Sequence, residues 1–187
     1  MSIWGGITGG LLGFVVLGPI GALVGSVIGS NISSRSKRKR PNNFDQQVAF
    51  FAALFACLAK IAKADGRVDE AEIKKIEEII SSKLNLNKEH RHFAINIFQK
   101  AKDDDVSFEA YASNLYQVLS SSPNSLLVFY EMLFELALAD GVFHPSEDDL
   151  LKQIPRIFRF DEKVYKSLYE KFVDKKNDYF KTLGVNE

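Results

Sequence analysis

Ala64-Asp65-Gly66-Arg67-Val68-Asp69-Glu70-Ala71-Glu72 and Ala139-Asp140-Gly141-Val142-Phe143-His144-Pro145-Ser146-Glu147 are two copies of one pattern. Aligned without gaps, they match at the Ala, Asp and Gly, at an apolar residue two after the Gly (Val68 and Phe143), and at Glu72 and Glu147. An apolar run precedes each copy, and a helix-start signature closes each. Glycine just past an apolar-periodic run is a natural helix stop. Asp69 with Glu72, and His144-Pro145 with Glu147, then read as the start of the next helix. The chain is therefore expected to contain a duplicated helix-Ala-Asp-Gly-helix unit.

Working outward, Phe44 to Lys63 is apolar nearly all round (Val48, Phe50, Phe51, Leu54, Phe55, Leu58, Ile61), which predicts a central buried helix. Ile73, Ile76, Ile79 and Ile80 give the following helix its inward stripe. Asn87 is the expected cap of a third helix through Lys102, with Phe93, Ile97 and Phe98 inward. Ser107 caps a fourth that carries Phe108, Tyr111, Leu115 and Leu119. Ser120 to Asn124 reads as a turn, and about Ser125 to Ala139 as a second nearly all-apolar helix. The helix opened by Pro145 is expected to run to about Phe158, interrupted or ended near Pro155, and Asp161 opens a last amphipathic helix. No segment alternates as a strand does, so the fold class is all-α.

Ile3 to Ile32 contains no charged residue and is long enough to cross a bilayer. No basic residue precedes it, which disfavours a signal peptide. So much glycine would also be costly in a soluble helix. Gly5, Gly9 and Gly13, then Gly21, Gly25 and Gly29, recur at every fourth position. Small-xxx-small stripes of this kind let helix backbones approach in lipid, so a homodimer through the anchor is expected. Gly18-Pro19 breaks the segment near its middle. Each half would give only about 20 Å of helix against a ~30 Å hydrocarbon core, which favours one kinked transmembrane helix, with a re-entrant hairpin as the alternative. Arg35, Lys37, Arg38, Lys39 and Arg40 follow without an intervening carboxylate. They predict a single pass through the inner (plasma) membrane, with the N-terminus outside and the main domain cytoplasmic. The expected division is a glycine-rich anchor over 1–32, a basic juxtamembrane linker over 33–43, a helical domain over 44–175 and a short tail over 176–187.

The 187 residues are 46% hydrophobic and 26% charged with no net charge, as in a folded globular chain rather than a disordered one. The basic run abuts an apolar segment and not a basic face, so no nucleic-acid partner is expected. Cys57 is the only cysteine, which excludes an intramolecular disulfide, and its apolar neighbours predict a buried small hydrophobe. His90 and His92 point to different sides of a helix and do not share a metal. No nucleophile elbow, paired-histidine zinc helix or phosphate-cradling glycine loop is present, and no enzyme is expected.

One site remains possible on chemical grounds. Asp65, Glu72, Asp140 and Glu147 would suit a divalent cation, Ca²⁺ or Mg²⁺, if the two turns converge. The spacing is not that of an EF-hand, and carboxylates at helix starts answer orphan N–H groups without any metal. Capping is the preferred role, with no cofactor required.

The paired turns resemble the TerB-like family of helical domains, known from tellurite-resistance proteins, over about Phe44 to Lys175. The resemblance implies a TerB-like helical bundle and possible metal binding, carried over only at Asp65, Glu72, Asp140 and Glu147. The wider arrangement resembles the DjlA-like family of membrane-anchored J-domain co-chaperones. In that family an N-terminal span able to dimerise precedes a cytosolic TerB-like domain and a J domain that stimulates a DnaK-type chaperone. Asp178-Tyr179-Phe180-Lys181-Thr182-Leu183-Gly184-Val185 resembles the opening phrase of a J domain, so the resemblance implies that the tail over 176–187 is the start of a truncated J domain. The sequence does not continue into the His-Pro-Asp loop; His144-Pro145-Ser146 comes near that tripeptide but reads as a helix start. The resemblance thus implies the co-chaperone pathway, with DnaK engagement only if a complete J domain follows. The alternative is a stand-alone, metal-responsive stress module.

Overall fold

A computed structural model of the chain describes residues 18–28, 43–64, 88–138 and 142–174. These residues form helices α1 (Pro19–Ile28), α2 (Asn43–Ala62), α3 (Lys88–Asp103), α4 (Phe108–Leu119), α5 (Pro123–Ala137), α6 (Pro145–Leu151), α7 (Ile154–Phe158) and α8 (Glu162–Tyr169), the last continued by a wide π-type turn over Glu170–Asp174. No strand occurs among the described residues.

Helix α2 is the axis, and α1, α3, α4, α5 and α6 all pack against it. Its composition explains the role. Ala49, Ala52, Ala53, Ala56 and Ala59 are buried on several sides and let neighbouring helices approach, while Leu54, Phe55, Leu58 and Ile61 fill the space between. Cys57 is fully buried among them, as its surroundings in sequence predict.

The local start signals operate as expected. Ser107 Oγ accepts the Ala110 N–H at 3.1 Å to cap α4, and Asp161 Oδ1 accepts the Lys163 N–H at 2.8 Å to cap α8. Phe108, Tyr111, Leu115 and Leu119 all face inward from α4. Helix α5 differs from expectation in starting at Pro123, inside the segment read as a turn. Proline costs nothing at the first helical position, where its N–H would have no partner, so the turn contracts to the preceding serines.

The break after α6 has a specific cause. Pro155 has no N–H to give the carbonyl four residues back, and its ring would clash there, so one helix cannot run from Pro145 to Phe158. The chain turns at Lys152-Gln153 and Pro155 falls in the first turn of α7. The freed Leu151 carbonyl, which is buried, accepts the Tyr130 hydroxyl of α5 at 2.8 Å. Tyr130→Phe should therefore cost about 1–3 kcal/mol, the penalty for an unpaired buried carbonyl, although the ring is unchanged. A denaturant midpoint equal to that of the parent would show that the bond adds nothing.

Helix α1 is the main departure from expectation. It lies in the run read as a continuous span, yet it packs on α2, α3 and α4. Ile20, Leu23 and Val24 are buried in the same core as Phe55 and Leu115, and Val27 packs at its edge. Docking to the bundle offsets the cost of glycine that argues against such a helix in isolation. Among the described residues no helix is long and apolar enough to cross a membrane.

Candidate functional site

Two regions carry the residues singled out in the sequence: the acidic turns and the glycine-striped N-terminal segment. Of the four carboxylates proposed for a cation, Asp65, Glu72 and Asp140 lie outside the described residues. Glu147 lies inside, in the first turn of α6, where its Oε2 accepts the His144 N–H at 3.0 Å. This is the carboxylate half of a capping box, the role a glutamate three residues after the cap is expected to take.

The neighbouring carboxylate is also engaged. Asp148 accepts the Tyr165 hydroxyl from α8 through Oδ1, and its Oδ2 pairs with Lys152 Nζ at 2.6 Å. Burial, and then the bond to Asp148, push the Tyr165 hydroxyl above its ordinary range. Among the described residues no group of three or more His, Cys, Asp or Glu side chains is arranged to hold a metal ion. His90 is buried on α3 while His92 faces out, as their spacing requires.

The apolar position shared by the two copies has a packing role in the second. Phe143 stacks at a tilt on Phe134 with ring centroids 6.1 Å apart and meets Tyr169 edge-on at 5.9 Å. Phe134 in turn touches Tyr130 (5.2 Å), Tyr165 (5.9 Å) and Phe172 (6.1 Å), so one aromatic cluster closes α5 against α8. Each such pair adds about 0.5–1.5 kcal/mol beyond its burial. The described part of the second turn thus holds helices together.

A second polar knot ties the turn after α3. Asp104 Oδ1 accepts Lys60 Nζ at 2.8 Å and the Val106 N–H at 3.0 Å, and Oδ2 accepts the Tyr111 hydroxyl. Burial and this bond push the Tyr111 hydroxyl up, and burial alone pushes up the Cys57 thiol. A thiol so disfavoured as thiolate is a poor nucleophile and a poor metal ligand. Sequence patterning did not single out Asp104, because the cation it holds, Lys60, lies 44 residues away on α2.

In the N-terminal segment, Gly5, Gly9, Gly13 and Gly29 and the basic residues Arg35, Lys37, Arg38, Lys39 and Arg40 lie outside the described residues. Gly21 and Gly25 lie on α1. A Cβ added at Gly25 would meet nothing within 4 Å, so this glycine is not required by the packing of the bundle. Gly18 is different: its φ is +117°, and an added Cβ would lie 2.7 Å from Asn114 Nδ2. Both the backbone turn and the close approach require glycine there.

Comparison with known proteins places these regions. Residues 51–169 match the family described as tellurite resistance protein TerB, and residues 1–39 match the co-chaperone DjlA transmembrane domain. The co-chaperone protein DjlA of Photobacterium profundum is 32% identical over 173 residues, which are 86% of this chain and 62% of that protein. That of Coxiella burnetii is 29% identical over 152 residues (75% and 55%), and that of Salmonella paratyphi A 28% over 155 residues (81% and 57%). The chain thus spans about three-fifths of the length of these relatives. No solved structure matches it.

Proposed function

Because the chain belongs to the TerB family and carries a DjlA-type transmembrane domain ahead of its bundle, we propose that it is the anchoring and scaffolding part of a membrane-bound co-chaperone of the DnaK pathway. The observation that carries this reading is the order of the two matches along one chain, transmembrane domain first and TerB bundle second. Lys and Arg are retained on the cytoplasmic side, so the cluster Arg35 to Arg40 orients the bundle toward the cytosol. The glycine stripes of the anchor serve self-association, and a J domain continuing from the phrase Asp178 to Val185 would engage the chaperone.

Carbonate extraction of membranes tests the anchor. The chain should stay in the pellet, and a form starting at residue 33 should be released. Protease should digest the bundle in inside-out vesicles and spare it in sealed, right-side-out ones. Purified, these 187 residues contain no His-Pro-Asp tripeptide and should leave the ATP turnover of a DnaK-type chaperone at its basal rate. Stimulation by the purified chain would point to a different mode of coupling.

A metal-responsive role is the second reading, and the repetition of Asp65/Glu72 as Asp140/Glu147 favours it. The capping bond of Glu147 to His144 favours the scaffold instead. Calorimetric titration with Ca²⁺ and Mg²⁺ is expected to give the same small heats for the parent and for Asp65→Asn/Asp140→Asn. Heats present in the parent and lost in the variant would establish a site.

A further inference from the structure

Helix α5 packs on α2, α4, α6 and α8, which leaves one side of it uncovered. Asn124, Leu127, Val128 and Glu135 are exposed and Glu131 is half-buried. Their spacing puts all five on that one side, at successive turns. Leu127 and Val128, 36% and 49% exposed, lie next to each other there; among the described residues only Val142 is a comparably exposed large hydrophobic side chain. The charges of this face run against the helix that carries them. A helix is partly positive at its N-terminus and partly negative at its C-terminus. Yet the first turn of α5 has no acidic residue, its N-cap Ser122 makes no side-chain bond to that turn, and no basic residue stands in the last turn. The carboxylates Glu131 and Glu135 sit toward the end where the dipole disfavours them.

We propose that the outer face of α5 is a contact between two copies of this chain, laid antiparallel across a two-fold axis between Leu127 and Val128. A two-fold contact uses the same patch on both copies, so the patch must complement itself. Antiparallel pairing achieves this. Val128 of one copy meets Leu127 of the other, Glu131 meets Asn124, and Glu135 meets Ser120 and Ser121, which are exposed. Each carboxylate then faces amide or hydroxyl donors at the positive end of the opposite helix, and none faces another carboxylate. Glu131 keeps Lys171 at 3.0 Å, so the rim holds both signs of charge. Two exposed apolar residues per copy bury far less than the ~800 Å² per partner of a standard interface, so the contact is weak on its own. Confinement of copies in a membrane raises their effective concentration and populates it. To that extent the proposal rests on the membrane reading given above.

Cross-linking of the full chain in membrane vesicles with a short bis-maleimide tests this. Cys57 is buried and gives a silent background. Val128→Cys should cross-link at least about fivefold more than the exposed controls Gln99→Cys on α3 and Lys163→Cys on α8, because confinement alone favours no face. Adding Glu135→Lys should lower that yield about three- to tenfold, since a cation then meets the positive helix end in both halves of the pair. Glu135→Gln, which removes the charge without reversing it, should lower it less, and a circular-dichroism melt checks that both variants remain folded. Equal yields at the three cysteines, or a yield that both Glu135 variants leave unchanged, would overturn the proposal. So would a product of a mass other than two chains, which would give the face to a different protein. Carbonate extraction of the same vesicles separates the two readings. A chain released by carbonate that still cross-links through Val128→Cys removes the anchor and keeps this contact. A retained chain with equal yields removes the contact alone.

Discussion

Phe129→Ala is expected to destabilise the bundle by about 3–5 kcal/mol, the range for emptying a large buried aromatic site. Phe129 is fully buried on α5 and meets Phe50 of α2 edge-on at 5.5 Å and Phe158 of α7 at 5.8 Å. It is the point where the central helix, the second apolar helix and the short helix that begins around Pro155 converge. Removing the ring leaves a cavity whose walls belong to three separate helices, which limits how far they can collapse. For a domain of this size the melting temperature should fall by about 6 °C at least, and by up to about 20 °C. A circular-dichroism melt of the variant would measure it. A change of only a degree or two would mean that these helices are not packed as described.

The second large effect is expected at Asp104. Its carboxylate answers Lys60, Tyr111 and the Val106 N–H together, and the Lys60 side chain is only 12% exposed. Asp104→Ala leaves that ammonium and the buried tyrosine hydroxyl without their shared acceptor. Breaking one partner of a buried pair costs about 3–5 kcal/mol, and the lower end applies here because Lys60 keeps its bond to the Asp104 carbonyl at 2.8 Å. The contrast is Arg156–Glu109, which has a similar contact of 2.9 Å but side chains 71% and 50% exposed. Arg156→Ala should change stability by less than about 1 kcal/mol. Equal denaturant midpoints for the two variants would refute the distinction.

Much of the helical layout is legible locally. Ser107 and Asp161 cap the helices they appear to cap, and His144-Pro145 starts α6. Inward stripes such as Phe108-Tyr111-Leu115 point where their spacing says. These features depend on residues within one or two helical turns, a range that sequence patterning resolves. The break at Pro155 was also visible, but the partner of the carbonyl it frees, Tyr130, was not. The Asp104 knot was hidden for the same reason, since its bond to Lys60 crosses 44 residues.

The candidate site divides similarly. That Glu147 serves as a cap follows from its offset from His144 alone. Phe143 was recognisable as the apolar position shared by both copies, but its seat in the Phe134 cluster depends on α8 returning to cover α5. With Phe143 packing and Glu147 capping, the described part of the second Ala-Asp-Gly turn acts as a joint between helices.

The sequence by itself determined the all-helical class, the duplicated turn, the positions of most helix starts and the apolar character of the N-terminal segment. It also held a sign of the docking of α1 in the large side chains Ile20, Leu23, Val24 and Val27, which fall on one face while Gly21, Ala22, Gly25 and Ser26 fall on the other. Only the tertiary structure decided where that helix goes. Hydrophobicity favours lipid and protein interior alike, so composition cannot choose between them. In the structure Asn114 and Lys100 reach the two ends of α1 from helices far along the chain, contacts that no local pattern in the sequence announces.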